Sequence, residues 1–117
     1  MRRDPRAYLW DARESAELIL TFTRERTLEH YLADPMLRAA VERQFEIIGE
    51  ALNQLAKVAP AIAQRIPDIA DIVAFRNRLI HAYITINHKE VWGTVQKDVK
   101  RLHDHLDQLL GELGKAP

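Results

Sequence analysis

Apolar side chains recur every three or four residues along most of the chain, which is the spacing of one helix face. Three stripes of this kind predict three long helices, and no stretch alternates with a period of two for long enough to be a strand. The first stripe is Leu9, Ala12, Ala16, Ile19 and Phe22; the second is Leu37, Val41, Phe45, Ile48, Leu52 and Leu55; the last is Val91, Val95, Val99, Leu102, Leu106, Leu109 and Leu113.

Capping residues predict where these helices begin. Asp4-Pro5 and Asp34-Pro35 each combine an N-cap residue with proline at the first helical position. Asn87-His88-Lys89-Glu90 resembles a capping box and opens the last helix. We expect the first helix to end near Arg26 and the second near Val58.

Two connections and a fourth main helix complete the predicted fold. Residues 27–33 form a connector with up to one helical turn, and two prolines bracket a short helix at 61–66. The fourth main helix runs from about residue 68 to 83 or 84. The prediction is one all-α domain over residues 1–117, an up-and-down bundle of four main helices plus a short extra helix.

Gly49 lies inside the second predicted helix, where glycine costs about 1 kcal/mol relative to alanine. We therefore expect the backbone of a neighbouring helix to approach closely at this position.

Composition and charge narrow the range of functions. The 117 residues include 47% hydrophobic and 29% charged side chains, a globular balance, with 17 basic and 17 acidic groups and a net charge of +0. Extended binding along a nucleic-acid backbone normally needs a basic protein, so any RNA contact must be local. The chain has no cysteine, no apolar run near the about 18 residues of a membrane span and no signal-peptide core, which predicts a soluble cytoplasmic protein.

The fourth helix carries an unusual concentration of polar chemistry in the segment 75–83, FRNRLIHAY. The guanidinium of Arg76 can grip a phosphate through two parallel hydrogen bonds, and His81 can accept or donate a proton near neutral pH. Asn77 lies one turn before His81 and can orient its ring or bind a phosphate oxygen. Together these side chains can cleave a phosphodiester without a metal, using the 2′-OH of RNA as nucleophile.

A helical wheel divides the apolar residues of this helix into two arcs. At about 100° per residue, Arg76 and Tyr83 share one edge, and Asn77 and His81 share another. One apolar arc lies between these edges, and the other points away and can face the core of the chain. We interpret the arc between the edges as a dimer interface; it comprises Val73, Ile80 and Ile84.

The segment 76–81, RNRLIH, matches the Arg-x4-6-His pattern of the HEPN superfamily, with a polar residue after the arginine. The extension to Tyr83 resembles the narrower family of HepT-like ribonuclease toxins. Residues 41–52, VERQFEIIGEAL, resemble the second helix of that family, so the resemblance covers nearly the whole chain.

This resemblance implies a homodimeric, metal-independent endoribonuclease that needs no cofactor, with Arg76 and His81 in a composite cleft. It also implies a toxin of a toxin–antitoxin pair, whose partner is a minimal nucleotidyltransferase. That partner transfers AMP from ATP to the motif tyrosine, here Tyr83, and so inactivates the toxin.

Several polar residues have a structural interpretation that needs no function. Arg78 points away from the motif edges and reads as a solvated or salt-bridged residue, and His88 and Lys89 as surface residues. His103 and His105 project about 200° apart on a helix, so they cannot share a metal ion. For the whole chain, the alternatives are a non-catalytic binding or scaffolding partner of a nucleotidyltransferase and a plain helical interaction domain.

Overall fold

The computed structural model describes residues 3–114, apart from the side chain of Tyr83, and this part of the chain is all-α. Seven α-helices and one 3₁₀ helix, Tyr83–Thr85, follow one another without a strand in the described residues. The α-helices are α1 Pro5–Thr23, α2 Leu28–Ala33, α3 Pro35–Val58, α4 Pro60–Ala63, α5 Ile69–His81, α6 His88–Lys97 and α7 Val99–Leu113.

The predicted helix starts are confirmed by hydrogen bonds. Asp4 accepts from the N–H of Arg6, and Asp34 accepts from the N–H groups of Met36 and Leu37. Asn87 accepts from the N–H of Glu90 at the start of α6. Each cap satisfies a backbone donor that has no partner within its own helix.

The core forms where α1 packs against α3 and α7. Most residues of the three predicted stripes are buried there, with Leu9, Ile19, Leu52 and Leu106 fully enclosed. The helix that carries the polar motif, α5, packs against α3, and α6 packs against α2 and α7. The helix α3 therefore links the core on one side to the motif helix on the other.

Three predicted boundaries are wrong. The first helix ends at Thr23 rather than near Arg26, the short helix α4 covers only Pro60–Ala63, and the motif helix ends at His81. At the last of these ends Ala82 leaves the helical conformation, with φ −123° and ψ 40°. Ile84, Thr85 and Ile86 follow closely, and β-branched residues are poor helix formers.

The last predicted helix is two helices, α6 and α7, separated at Asp98. Its apolar stripe continues through this break: Val95 and Val99 are both buried. The two halves pack on different neighbours, because α6 lies on α2 while α7 lies on α1. In the described part of the chain, no helix combines the length and apolar character needed to cross a bilayer.

Candidate active site

Gly49 brings the motif helix α5 against α3. A methyl group at Gly49 would overlap Arg76 Cβ and lie 2.5 Å from Arg76 Cγ. A neighbouring helix does approach closely at the glycine, but the atoms nearest to it belong to the side chain of the motif arginine and not to the backbone that was predicted. The aliphatic part of Arg76 lies in the space that any side chain at position 49 would need.

The guanidinium of Arg76 is held at both of its terminal nitrogens. Nη2 donates to Glu50 Oε2 on α3 at 2.7 Å, and Nη1 donates to Asn77 Oδ1 at 2.9 Å. Nε is buried and has no acceptor among the described residues. The side chain is 22% exposed, so the charged end reaches solvent from a stem that is packed against α3.

His81 and Asn77 are exposed on the outer side of α5. No described side chain makes a hydrogen bond or ion pair with the imidazole of His81. His81 is the last residue of α5, at the end of the helix that faces the turn before α6. An exposed imidazole without a partner is free to exchange a proton with a bound substrate.

The two apolar arcs of α5 have different environments. Leu79 is 5% exposed in the core, and Phe75 packs edge-on against Phe45 with ring centroids 5.1 Å apart. The other arc does not belong to the core: Val73 and Ile80 are half-buried on α5. Ile84 lies beyond the end of α5, in the 3₁₀ helix, so its predicted wheel position does not apply, and it is 82% exposed. The core therefore takes one arc and leaves the predicted interface arc at the surface.

Tyr83 begins the 3₁₀ helix, and its side chain lies outside the described part of the structure. The backbone after α5 turns at Ala82, whose carbonyl accepts from both the N–H and the hydroxyl of Thr85. Since α5 ends at His81, the wheel position that placed Tyr83 on the edge of Arg76 does not apply. The predicted alignment of these two residues thereby loses its helical basis, and it concerns a side chain outside the described part of the structure.

A second group of polar side chains lies where α2, α3 and α6 meet. His88 Nδ1 is 3.7 Å from Glu42 Oε2, and the ring of Tyr31 is fully buried beside His88. Burial raises the pKa of Glu42, while the nearby His88 and Arg38 oppose that rise. Burial also raises the pKa of Tyr31. The side chain of His88 is 37% exposed, as expected of a surface residue, but its Nδ1 is buried on the side that faces Glu42.

The histidines of α7 take separate roles, as their spacing predicts. His103 Nε2 contacts Glu17 Oε2 at 2.6 Å, which ties α7 to α1, whereas His105 lines a groove between α5 and α7. Within residues 3–114, no group of three or more His, Asp or Glu side chains is arranged to hold a metal ion. Arg78 forms an exposed ion pair with Glu90 Oε1 at 3.0 Å, which agrees with the salt-bridged or solvated role expected from the sequence.

Glu50 is the residue of this site that sequence reasoning missed. Its place directly after Gly49 was an available signal, because a residue beside the predicted close approach must lie near the neighbouring helix. An acidic side chain there is a natural partner for an arginine on that helix.

Comparison with known proteins agrees with the motif. A family model described as "Ribonuclease HepT-like" matches residues 12–109, which include Gly49, Glu50 and the whole motif. The chain belongs to the HepT-like ribonuclease family. This membership confirms the resemblance inferred from the motif and from the second helix.

The HepT-like chain is similar over nearly its full length to curated relatives. It is 36% identical over 113 residues to "Probable ribonuclease HepT" of Thermococcus cleftensis, covering 93% of this chain and 98% of the relative. A "Putative RNase" of Caldanaerobacter subterraneus subsp. tengcongensis is 30% identical over 108 residues, covering 92% and 96% respectively. A "Putative RNase" of Methanocaldococcus jannaschii is 32% identical over 108 residues, covering 91% and 96%. No solved structure matches the chain significantly.

Proposed function

We propose that this HepT-like chain is a metal-independent endoribonuclease that acts as a homodimeric toxin. The observation that carries the proposal is the arrangement on α5: a guanidinium fixed by Glu50 and Asn77, on the same helix as an exposed and unpartnered His81. The relatives named as ribonucleases support RNA as the substrate.

The proposed reaction is transesterification within the RNA chain. One His81 takes the proton of the 2′-OH while that oxygen attacks the adjacent phosphorus. The bond to the 5′-oxygen breaks, and a protonated His81 supplies the proton that this leaving oxygen needs. Arg76 stabilises the charge that develops on the phosphoryl oxygens. The products are a 2′,3′-cyclic phosphate and a 5′-hydroxyl.

A site formed by two copies of the chain can provide one His81 as the base and the other as the acid. Arg76 and His81 are five residues apart on a helix, so their side chains diverge by about 140°. Val73 and Ile80 lie between them on α5 and outside the core, and the exposed Ile84 follows in the 3₁₀ helix. Pairing two copies through this arc brings the Arg76 and His81 of both chains to one interface, where the two histidines can act as base and acid.

Control by a nucleotidyltransferase antitoxin is the second part of the proposal. The partner would transfer AMP from ATP to the hydroxyl of Tyr83, two residues after His81. The phosphate of the adduct would offer an anion to the cations of the cleft, through the bonds that RNA normally makes. The modification would then block the cleft by occupying it.

The first prediction is that purified protein cleaves RNA in the presence of EDTA. His81→Ala should lower the rate by about 10²–10⁴-fold because it removes the proton-transfer group. Arg76→Lys should lower it by about 10²-fold because an ammonium cannot form the bidentate fork, while its stem still packs over Gly49. Cleavage is followed on a short labelled RNA, with end-group analysis of the products.

Arg78→Lys is the matched control, since Arg78 is an exposed arginine on the same helix that pairs with Glu90. It should retain the wild-type rate. Wild-type rates in folded Arg76→Lys or His81→Ala protein would remove that residue from the mechanism. A wild-type protein that binds the nucleotidyltransferase but never cleaves RNA would instead support the scaffolding alternative.

A further inference from the structure

Both carboxylate oxygens of Glu50 accept a hydrogen bond from another side chain. Oε2 accepts from Arg76 Nη2 at 2.7 Å, and Oε1 accepts from Gln54 Nε2 at 3.0 Å, one turn further along α3. Gln54 thus orients the carboxylate, and the carboxylate orients the guanidinium. With Asn77 on the other terminal nitrogen, Arg76 is restrained from two helices at once.

This arrangement leaves Arg76 able to bind a phosphate. A guanidinium has five N–H donors, of which one goes to Glu50, one goes to Asn77, and the buried Nε–H is out of reach of a ligand. One N–H remains on each terminal nitrogen. Two donors on different nitrogens are what a bidentate contact with two phosphate oxygens requires.

We propose that Glu50 is a positioning residue of the ribonuclease, which fixes the Arg76 guanidinium so that its two remaining donors have a defined orientation toward the scissile phosphate. This inference rests on the proposed function. Glu50 acts through Arg76 and contacts neither the nucleophile nor the leaving oxygen.

The charge of Glu50 predicts a specific kinetic signature. Its side chain is 47% exposed, so its carboxylate repels an incoming phosphate at the same time as it holds the arginine. Removing the charge should therefore loosen the catalytic geometry without weakening substrate binding. A residue that only stabilised the fold would lower the amount of active protein and would not separate kcat from KM in this way.

The test compares Glu50→Gln with wild type on a short RNA at saturating and limiting concentrations. We expect kcat to fall about tenfold, because the neutral amide holds the guanidinium less firmly, with KM unchanged or lower. Glu46→Gln is the matched control: Glu46 lies one turn earlier on α3 and pairs with Arg43 at 3.5 Å. It should leave both constants at wild-type values.

Two further measurements tie the effect to Arg76. In an Arg76→Lys background, adding Glu50→Gln should cause no further loss, since the group through which Glu50 acts is gone. In ¹⁵N-arginine NMR spectra, the Arg76 terminal nitrogens should give separate signals in wild type, and these should average in Glu50→Gln because rotation of the guanidinium becomes faster.

The outcomes separate the two proposals. If wild type cleaves RNA and Glu50→Gln keeps its kcat, or shows a full additional loss in Arg76→Lys protein, the positioning role is wrong. If wild type does not cleave RNA at all, the proposed function fails and the catalytic role of Glu50 fails with it. The NMR comparison would then still report whether Glu50 restrains Arg76.

Discussion

At the scale of single residues, the two main residues of the motif, Arg76 and His81, lie in different environments. His81 is exposed and without a partner among the described side chains, whereas Arg76 is part of the contact between α5 and α3. Because Arg76 packs over Gly49 and bonds to Glu50, truncating it should lower stability as well as activity. Arg76→Lys is therefore a better test of chemistry than Arg76→Ala.

Tyr83 is the residue on which the proposed regulation depends. After incubation with the nucleotidyltransferase and ATP, intact-mass analysis should show AMP adducts on wild-type protein and none on Tyr83→Phe, because the accepting hydroxyl is absent. The Phe variant should remain a ribonuclease that the partner's catalysis does not silence. Tyr8 and Tyr31 are the natural controls, and Tyr31 is fully buried. An adduct mapped to either of them would contradict the proposed switch.

At the scale of helices, Gly49 decides how closely α5 can approach α3. Replacing an interior helix glycine by alanine ordinarily stabilises a helix by about 1 kcal/mol. At Gly49 the added methyl would overlap Arg76 Cβ, and neither that atom nor the backbone behind it can move independently of α5. We predict that Gly49→Ala lowers the melting temperature and also the rate of RNA cleavage, since the displaced helix carries Arg76 with it.

Gly93→Ala is the matched control for this prediction. Gly93 lies inside α6, and a methyl group there would meet nothing within 4 Å. This variant should therefore be as stable as wild type or more stable, as measured by thermal unfolding. A Gly49→Ala protein that melts above wild type, as Gly93→Ala should, would show that α5 does not depend on close contact at Gly49.

At the scale of the whole molecule, the proposed dimer interface comprises Val73 and Ile80 on α5 and Ile84 in the 3₁₀ helix that follows. Ile84 and Met36 are equally exposed in the single chain, each at 82%, so a charge at either position should be tolerated by the fold. Only Ile84 belongs to the proposed interface. We predict that Ile84→Asp shifts a wild-type dimer to monomer and removes cleavage, because pairing would bury an unpaired carboxylate.

Met36→Asp should remain a dimer with wild-type activity. Light scattering coupled to size-exclusion chromatography measures the mass of each variant, and circular dichroism confirms its helical content. An active Ile84→Asp dimer would place the interface on another surface of the molecule.

The local features of this protein follow from its sequence alone. Apolar spacing and caps such as Asp34 and Asn87 determine most helix positions, because those interactions involve residues within a turn of one another. The Arg76–His81 motif and its resemblance to the HepT-like family are equally local. Even the close contact at Gly49 was predictable, since an interior glycine has an intrinsic cost that packing must offset.

The tertiary structure decided which partners these helices meet. The ion pair between Arg76 and Glu50 joins residues 26 apart in the chain, and the spacing of apolar residues does not predict such a contact. The apolar stripe continues through the break at Asp98 because α6 and α7 are both buried. They are buried against different helices, which the stripe itself does not show. Spacing along one helix records which face is apolar, whereas the choice of neighbour depends on the packing of the whole chain.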